Sequence, residues 1–285
     1  MVGPGRLSAC ASMIDLHLHS HFSDGTWSPE ELVEHAVKIG MKHIALSDHD
    51  TVDGIDEAIA AAAGRVEIIP AVEINTIEAG NNVHILGYFI DHHTNELDAV
   101  LAKQKAARHK HMLGRIASIQ ESGIKLTLEG VQACAGGAIG VLGTAHITEA
   151  IVQAGGAADL TEAWEKYLQR GSPYYVERQS VRPHEAIMAI RAAGGIPSMA
   201  HPGKESYVIP LIESLTRVGL MAVEAYHQVH SDELTNSYIE YAASRGLLVT
   251  GGSDCHGPYR EFESTMGSIK VPEDVLTNLR KNSCS

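Results

Sequence analysis

Along the first third of the chain, short apolar β-prone runs alternate with capped helical patterns, and that alternation leaves few folds open. Ile14–Leu18 is followed by Ser28-Pro-Glu-Glu31, which supplies an N-cap, a proline at the first helical position and a capping-box glutamate. The helix carries Leu32, Val33, Ala36 and Val37 and stops at Gly40. His43–Leu46 reads as a second strand, Val52–Ala63 as a helix ended by Gly64, Glu67–Val72 as a third strand and Val83–Phe89 as a fourth. Repeated units of this kind predict a largely parallel sheet or barrel.

The rhythm changes near Asp91. Thr94–Ser122 is one long helical pattern closed by Gly123, followed by the glycine-rich Ala135–Gly143 and more helix to Gln169. The β/α alternation then resumes with the strand-like Pro173–Glu177, helix Pro183–Ala193, strands Ile196–Ala200 and Ala222–Tyr226, helix Asp232–Ser244 and strand Leu247–Thr250. The expected organisation is an α/β barrel built from 13–91 and 171–285, a mostly helical insertion over 92–170, and a disordered leader over 1–12 with Met13 as an alternative start.

Composition narrows the function classes. A net charge of -13 argues against a general nucleic-acid coat or an anionic membrane surface as partner, while still allowing a locally positive pocket or a bound cation. The four cysteines, Cys10, Cys134, Cys255 and Cys284, show no CxxC spacing, which fits reduced thiols in a cytoplasm. No apolar run is long enough to suggest a membrane span, and no stable protein partner is evident. The 17 histidines are many beside 22 lysines plus arginines, so position must separate ligands from background.

Ligand-type residues follow nearly every expected strand: His17 and His19, then Asp48-His49-Asp50, Glu73, His201, and Asp254 with His256, while His84 lies within the fourth. In parallel α/β folds that rim is where ligands bind. Any one of these residues alone reads as a packing histidine or a helix cap, but together they point to a metal site. Imidazoles and carboxylates without thiolates suit Mn, Fe or Zn better than Mg.

Specific motifs carry a resemblance. His17-Leu-His19 with Ser23-Asp24-Gly25, Ser47-Asp48-His49-Asp50, Glu73, His84-Ile-Leu-Gly-Tyr88, Ala200-His201-Pro202 and Gly252-Ser253-Asp254-Cys255-His256 resemble the PHP (polymerase and histidinol phosphatase) metallophosphoesterases. Within that family the chain looks most like the bacterial branch with a helical insertion that acts on nucleotide phosphates. The resemblance implies a distorted seven-stranded (β/α) TIM-like barrel holding three divalent metal ions. His17, His19, Glu73 and Asp254 would hold the first; a bridging Glu73, His84 and His201 the second; Asp24, His49 and His256 the third. A metal-bound hydroxide, held through Glu73 and Asp254, would attack the phosphate monoester of a nucleoside 3′,5′-bisphosphate or the end of a short oligonucleotide. The runners-up are a histidinol-phosphate-type phosphatase and a non-catalytic scaffold module.

Arg178 and His230 would contact the phosphate by the same resemblance, with His146 and Thr144 nearby. The branch usually reads Gly-Arg-Pro-His-Ile where this chain has Gly143-Thr-Ala-His-Ile147, so an expected arginine is Thr144 here. For His21, His43, His92, His93, His109 and His111, the plain surface reading is preferred. The basic helix residues Lys103, Lys105, Arg108, Lys110 and Arg115 are read first as a solvated face and second as a clamp over a nucleotide. Cys255 is expected to pack, since alternation points it away from its ligand neighbours.

Overall fold

The computed structural model describes residues 14–134, 142–258 and 264–283; the expected leader and most of the glycine-rich run after Cys134 lie outside these residues. Seven strands make one sheet in sequence order: β1 (Ile14–Leu18), β2 (His43–Leu46), β3 (Glu67–Glu78), β4 (Asn81–Tyr88), β5 (Ile196–Met199), β6 (Ala222–Tyr226) and β7 (Leu248–Gly251). The sheet curls into a half-barrel whose first and last strands approach each other through the Leu18–Cys255 bridge, where His19 N–H donates to the Cys255 carbonyl at 2.9 Å. There is no room for a side chain at that seam: a Cβ on Gly252 would sit 2.4 Å from the His17 Cβ.

The expectation of a largely parallel sheet needs correction, because β4 runs antiparallel to both β3 and β5. Ala79 (φ 49°) and Gly80 (φ 78°) form a two-residue turn with both residues left-handed, which is the geometry that folds a strand straight back on itself. The third strand is also longer than the apolar run suggested. It continues through Asn75 and Thr76 to Glu78, so Glu73 sits inside β3 and not at its end. Pro173–Glu177 is turn and irregular chain and not a strand.

Helices α1 (Pro29–Lys38) and α2 (Ile55–Ala62) cover the first strands, and α1 begins with the Ser28 and Glu31 capping box. Between β4 and β5 come α3 (Asn95–Gln120), α4 (Leu128–Cys134), α5 (Thr144–Gln153), α6 (Leu160–Ala163) and a π-helical turn at Trp164–Leu168. These carry a hydrophobic cluster of their own, with Met112, Ile116, Ile119, Val131, Ile147 and Ile151 buried together. Four more helices, α7 (Pro183–Ala192), α8 (Val208–Thr216), α9 (Asp232–Arg245) and α10 (Glu273–Asn282), pack on the remaining strands. The sheet itself separates two apolar clusters, one including Val72, Ile74, Ile85 and Val223, the other including Ile14, Leu16, Leu86 and Tyr88. Among the described residues, no helix is long and apolar enough to cross a membrane.

Candidate metal centre

Glu73 is fully buried, and five imidazoles surround its two oxygens. His84 Nδ1 (2.9 Å) and His201 Nε2 (3.1 Å) face Oε1. On the other side, His17 Nε2 (3.3 Å), His19 Nε2 (3.4 Å) and His49 Nδ1 (2.8 Å) face Oε2. Asp254 Oδ1 closes the second group, 3.4 Å from His17 Nε2 and 3.1 Å from His19 Nε2. A third group forms around Asp24 Oδ1, with His256 Nε2 at 3.2 Å and His49 Nε2 at 3.8 Å. The structure thus brings all nine proposed ligands to one place.

Backbone strain concentrates here. Asp50 (φ 56°), His201 (φ 24°) and Asp254 (φ 52°) all adopt left-handed backbone, at a cost of about 1–3 kcal/mol each. Carboxylates outside the nine brace the segments that carry them. Asp48 accepts from Ser20 N–H (2.7 Å) and from the Ser20 and Ser23 hydroxyls (both 2.6 Å), fixing the loop that bears Asp24. Asp15 accepts from Ser253 N–H (2.9 Å) and fixes the loop that bears Asp254. Asp50 accepts from Asn75 N–H (2.8 Å) and pairs with the Arg108 guanidinium.

Burial opposes charge on Glu73, but His49, His17 and His84 hold its carboxyl well below the usual carboxylate range. Asp254 is likewise held well below that range, by His17 and His19 against the effect of burial. Burial and the neighbouring His256 and His49 push the His19 imidazole down to about 3, leaving it neutral. Around this cluster, His17 Nε2, both His19 nitrogens, His49 Nδ1, Asp24 Oδ1, Glu73 Oε2 and Asp254 Oδ1 are buried without a hydrogen-bond partner. Buried polar atoms of that number are rarely left unsatisfied. Imidazoles and carboxylates converging on common points are the donor set of a divalent cation, so the residues fit one.

Two members of the site were missed in the sequence. Glu224 is completely buried; it accepts from His17 Nδ1 at 2.9 Å and from His201 N–H at 2.7 Å, orienting two proposed ligands with one carboxylate. The available signal was an acid at the centre of the apolar strand Ala222-Val-Glu-Ala-Tyr226. His227, buried on the same side, points Nε2 at Asp254 Oδ2 from 3.5 Å. His230 holds its own loop instead of facing the centre: Nε2 accepts from Gly203 N–H (3.1 Å) and Nδ1 donates to the Ala225 carbonyl (2.9 Å), so both ring nitrogens are engaged.

Beside the centre lies a cavity of about 270 Å³ between α3 and the segment after the π-helical turn. Arg108, Arg115 and Arg178 line it, together with His111 and Thr144. The solvated-face reading therefore fails for Arg108 and Arg115, and the surface reading fails for His111, which is buried and donates to the Val176 carbonyl at 2.9 Å. Arg115 reaches the Thr144 hydroxyl at 3.3 Å. Burial and neighbouring guanidinium charge push Arg115 and Arg178 down to about 10, so both remain cationic at neutral pH. Among the described residues neither has a carboxylate at ion-pair distance, and Arg178 Nε and Nη2 have no partner. His146 accepts from Gly143 N–H at 3.0 Å and feels the charge of Asp24. Cys255 is buried in the cluster with Leu18 and Leu32, as expected of a packing residue.

The PHP domain family matches residues 15–180, more than half of the chain. The chain belongs to that family. It is 39% identical over 249 residues to a 5′-3′ exoribonuclease of Haemophilus influenzae, covering 86% of this chain and 90% of that one. It is 32% identical over 256 residues to a 3′,5′-nucleoside bisphosphate phosphatase of Chromobacterium violaceum, covering 86% and 87%. A crystal structure from Bifidobacterium adolescentis, described as a metal-dependent phosphoesterase, superposes with a TM-score of 0.84 at 28% identity, covering 97% of this chain and 98% of that one. With this site and these relatives, the PHP chain is a metal-dependent phosphoesterase, a hydrolase of phosphate esters.

Proposed function

We propose that the substrate is a nucleoside 3′,5′-bisphosphate or the end of a short oligonucleotide, and that three divalent ions, Mn, Fe or Zn, serve the reaction. His17, His19, Glu73 and Asp254 would hold the first, Glu73, His84 and His201 the second, and Asp24, His49 and His256 the third. Ions in such sites lower the pKa of bound water and stabilise charge on phosphoryl oxygens. Glu73 keeps the two imidazole groups in register, and Glu224 fixes the His17 tautomer so that its Nε2 faces inward.

The observation that carries the nucleotide reading is the arginine cavity. Four guanidiniums line it; among the described residues Arg108 and Arg170 are paired with Asp50 and Glu177 while Arg115 and Arg178 have no carboxylate partner, and an arginine fork suits a phosphate. A substrate with a single phosphate at the metal centre would leave Arg115 and Arg178 without a counter-charge, which weighs against a histidinol-phosphate-type reading. A non-catalytic scaffold would have no reason to keep all nine ligand residues. The helical segment 92–170 supplies Arg108, Arg115 and Thr144 to this cavity, so it would act as the cap that selects substrate; Thr144 makes room for Arg115 where the resemblance led to an arginine at 144.

Phosphate release by the Mn-loaded enzyme tests this, with adenosine 3′,5′-bisphosphate compared with 3′-AMP. Arg115→Gln and Arg178→Gln should each raise KM for the bisphosphate by about tenfold or more, the value of one charge-assisted pair, and shift 3′-AMP far less. Equal effects on both substrates would sink the two-phosphate assignment.

A further inference from the structure

A second cavity, of about 220 Å³, opens on the other side of His84 and His201, and its chemistry is the opposite of the arginine cavity. Met199, Pro202, Tyr207 and Leu211 line it, and among its described lining residues there is no carboxylate, lysine or arginine. Such a lining suits a neutral, largely apolar group, and its His84 and His201 walls put that group beside the candidate metal centre.

One residue belongs to both cavities. Asn82 lines the arginine cavity and the neutral one, two positions before His84 on β4 and hence on the same face of the strand. Its side chain is exposed, and its amide has no hydrogen-bond partner among the described residues. An amide offers both donors and an acceptor, the complement of the edge of a heterocycle. Tyr207 is 36% exposed and presents an aromatic face at the rim.

The floor of this cavity is also fixed in place. The loop from His201 to Tyr207 is tied at Gly203 from two directions, by His230 Nε2 accepting from its N–H (3.1 Å) and by the Tyr238 hydroxyl donating to its carbonyl (2.6 Å). That gives His230 a role away from the phosphate: it holds the wall of a preformed pocket.

We infer that the Asn82–Tyr207–Leu211 cavity binds the nucleobase of the substrate, with one nucleotide reaching three subsites at once: a phosphate among the arginines, the scissile ester at the metal centre and the base against Tyr207. This rests on the nucleotide reading above and goes beyond it by making the base a contributor to selectivity. Stacking on a tyrosine tolerates every base, so the expected selectivity is for the presence of a base and only weakly for its identity.

The test compares adenosine 3′,5′-bisphosphate with its abasic analogue, the tetrahydrofuran 3′,5′-bisphosphate, using p-nitrophenyl phosphate as a metal-centre control for the wild-type enzyme. The wild-type enzyme should favour the nucleotide by about tenfold in kcat/KM, the usual scale of one base stacked on an aromatic ring. Tyr207→Ala, which empties the cavity, and Leu211→Trp, which fills it, should both collapse that preference to within about twofold, through KM for the nucleotide. Equal turnover of the nucleotide and the abasic analogue by the wild type would overturn the base subsite and leave the two-phosphate assignment intact. Variants that lose both bisphosphates in equal proportion would overturn it in the same way. If p-nitrophenyl phosphate is hydrolysed while neither bisphosphate is, the nucleotide reading falls and the base subsite falls with it.

Discussion

Glu224→Gln isolates a buried carboxylate that touches two proposed ligands without being one. In the native site Oε1 accepts from His17 Nδ1 at 2.9 Å and Oε2 from His201 N–H at 2.7 Å. An amide of the same shape keeps one acceptor and turns the other into a donor, so it must lose either the His17 or the His201 contact. Facing His17, the new NH2 would favour the imidazole tautomer with hydrogen on Nε2, the atom that must offer a lone pair toward Glu73 and Asp254. Losing a hydrogen bond to a charged group costs about 1.5–3 kcal/mol. That is roughly one to two decades, the same range in which removal of a residue that orients a metal-ligating histidine lowers metal affinity, about 10–100-fold. The measurement is metal content by elemental analysis after dialysis against graded chelator, with circular dichroism to show that the fold persists. The variant should release metal at a chelator concentration about tenfold lower or less, and activity should return as metal is added back. A folded Glu224→Gln protein that keeps its metal as tightly as wild type would refute the orienting role.

Three further outcomes are expected. Glu73→Gln should leave a folded chain that binds fewer metal equivalents and loses turnover, because the carboxylate faces imidazoles on both oxygens; unchanged metal content by elemental analysis would remove it from the centre. Gly252→Ala should destabilise by about 1–3 kcal/mol, since its Cβ would lie 2.4 Å from both the His17 Cβ and the His17 backbone nitrogen, and a wild-type urea midpoint would contradict that packing. Burial, then Arg115, push His111 from 6.5 down to about 4, so between those values the unfolded chain binds the extra proton. His111 thus favours the fold above about pH 6.5 and loses that contribution as pH falls toward 4. Urea titrations at about pH 7 and pH 5 should show a smaller loss of stability in His111→Gln than in wild type, and an identical loss would show that another group dominates.

The parts of the site that could be read in the sequence are those set by local order. His17 and His19 alternate across the end of β1, and His49, His201, Asp254 and His256 follow strands whose apolar runs are plain, so their convergence needed only the barrel, whereas Asp24 was indicated only by the family resemblance. What escaped depends on which neighbour an element meets. The reversal at Ala79-Gly80 turns on backbone conformation in a segment too polar to be read as strand. Helix α3 buries Leu97, Leu101 and Gln104 and, further on, His111, Met112 and Ile116, so polar residues interrupt its buried stripe and hide that Arg108 and Arg115 point inward. Glu224 was hidden by its apolar strand, and only contact with β1 and the start of the His201 loop gives it a purpose.

The pairing of β1 with the end of β7 has a consequence for how the protein is born. During synthesis a chain emerges from its amino end, so His17 and His19 are in solution long before Asp254 and His256 exist. Until then the nascent chain can offer a cation only partial sets such as His49, Glu73 and His84, which share neighbouring strands. The four-residue group around His19 and Asp254 comes into being only when the Leu18–Cys255 bridge forms. A ribosome-bound fragment ending before β7 should therefore bind divalent metal more weakly than a chain that includes it, so that metal uptake would report that β1 and β7 have met.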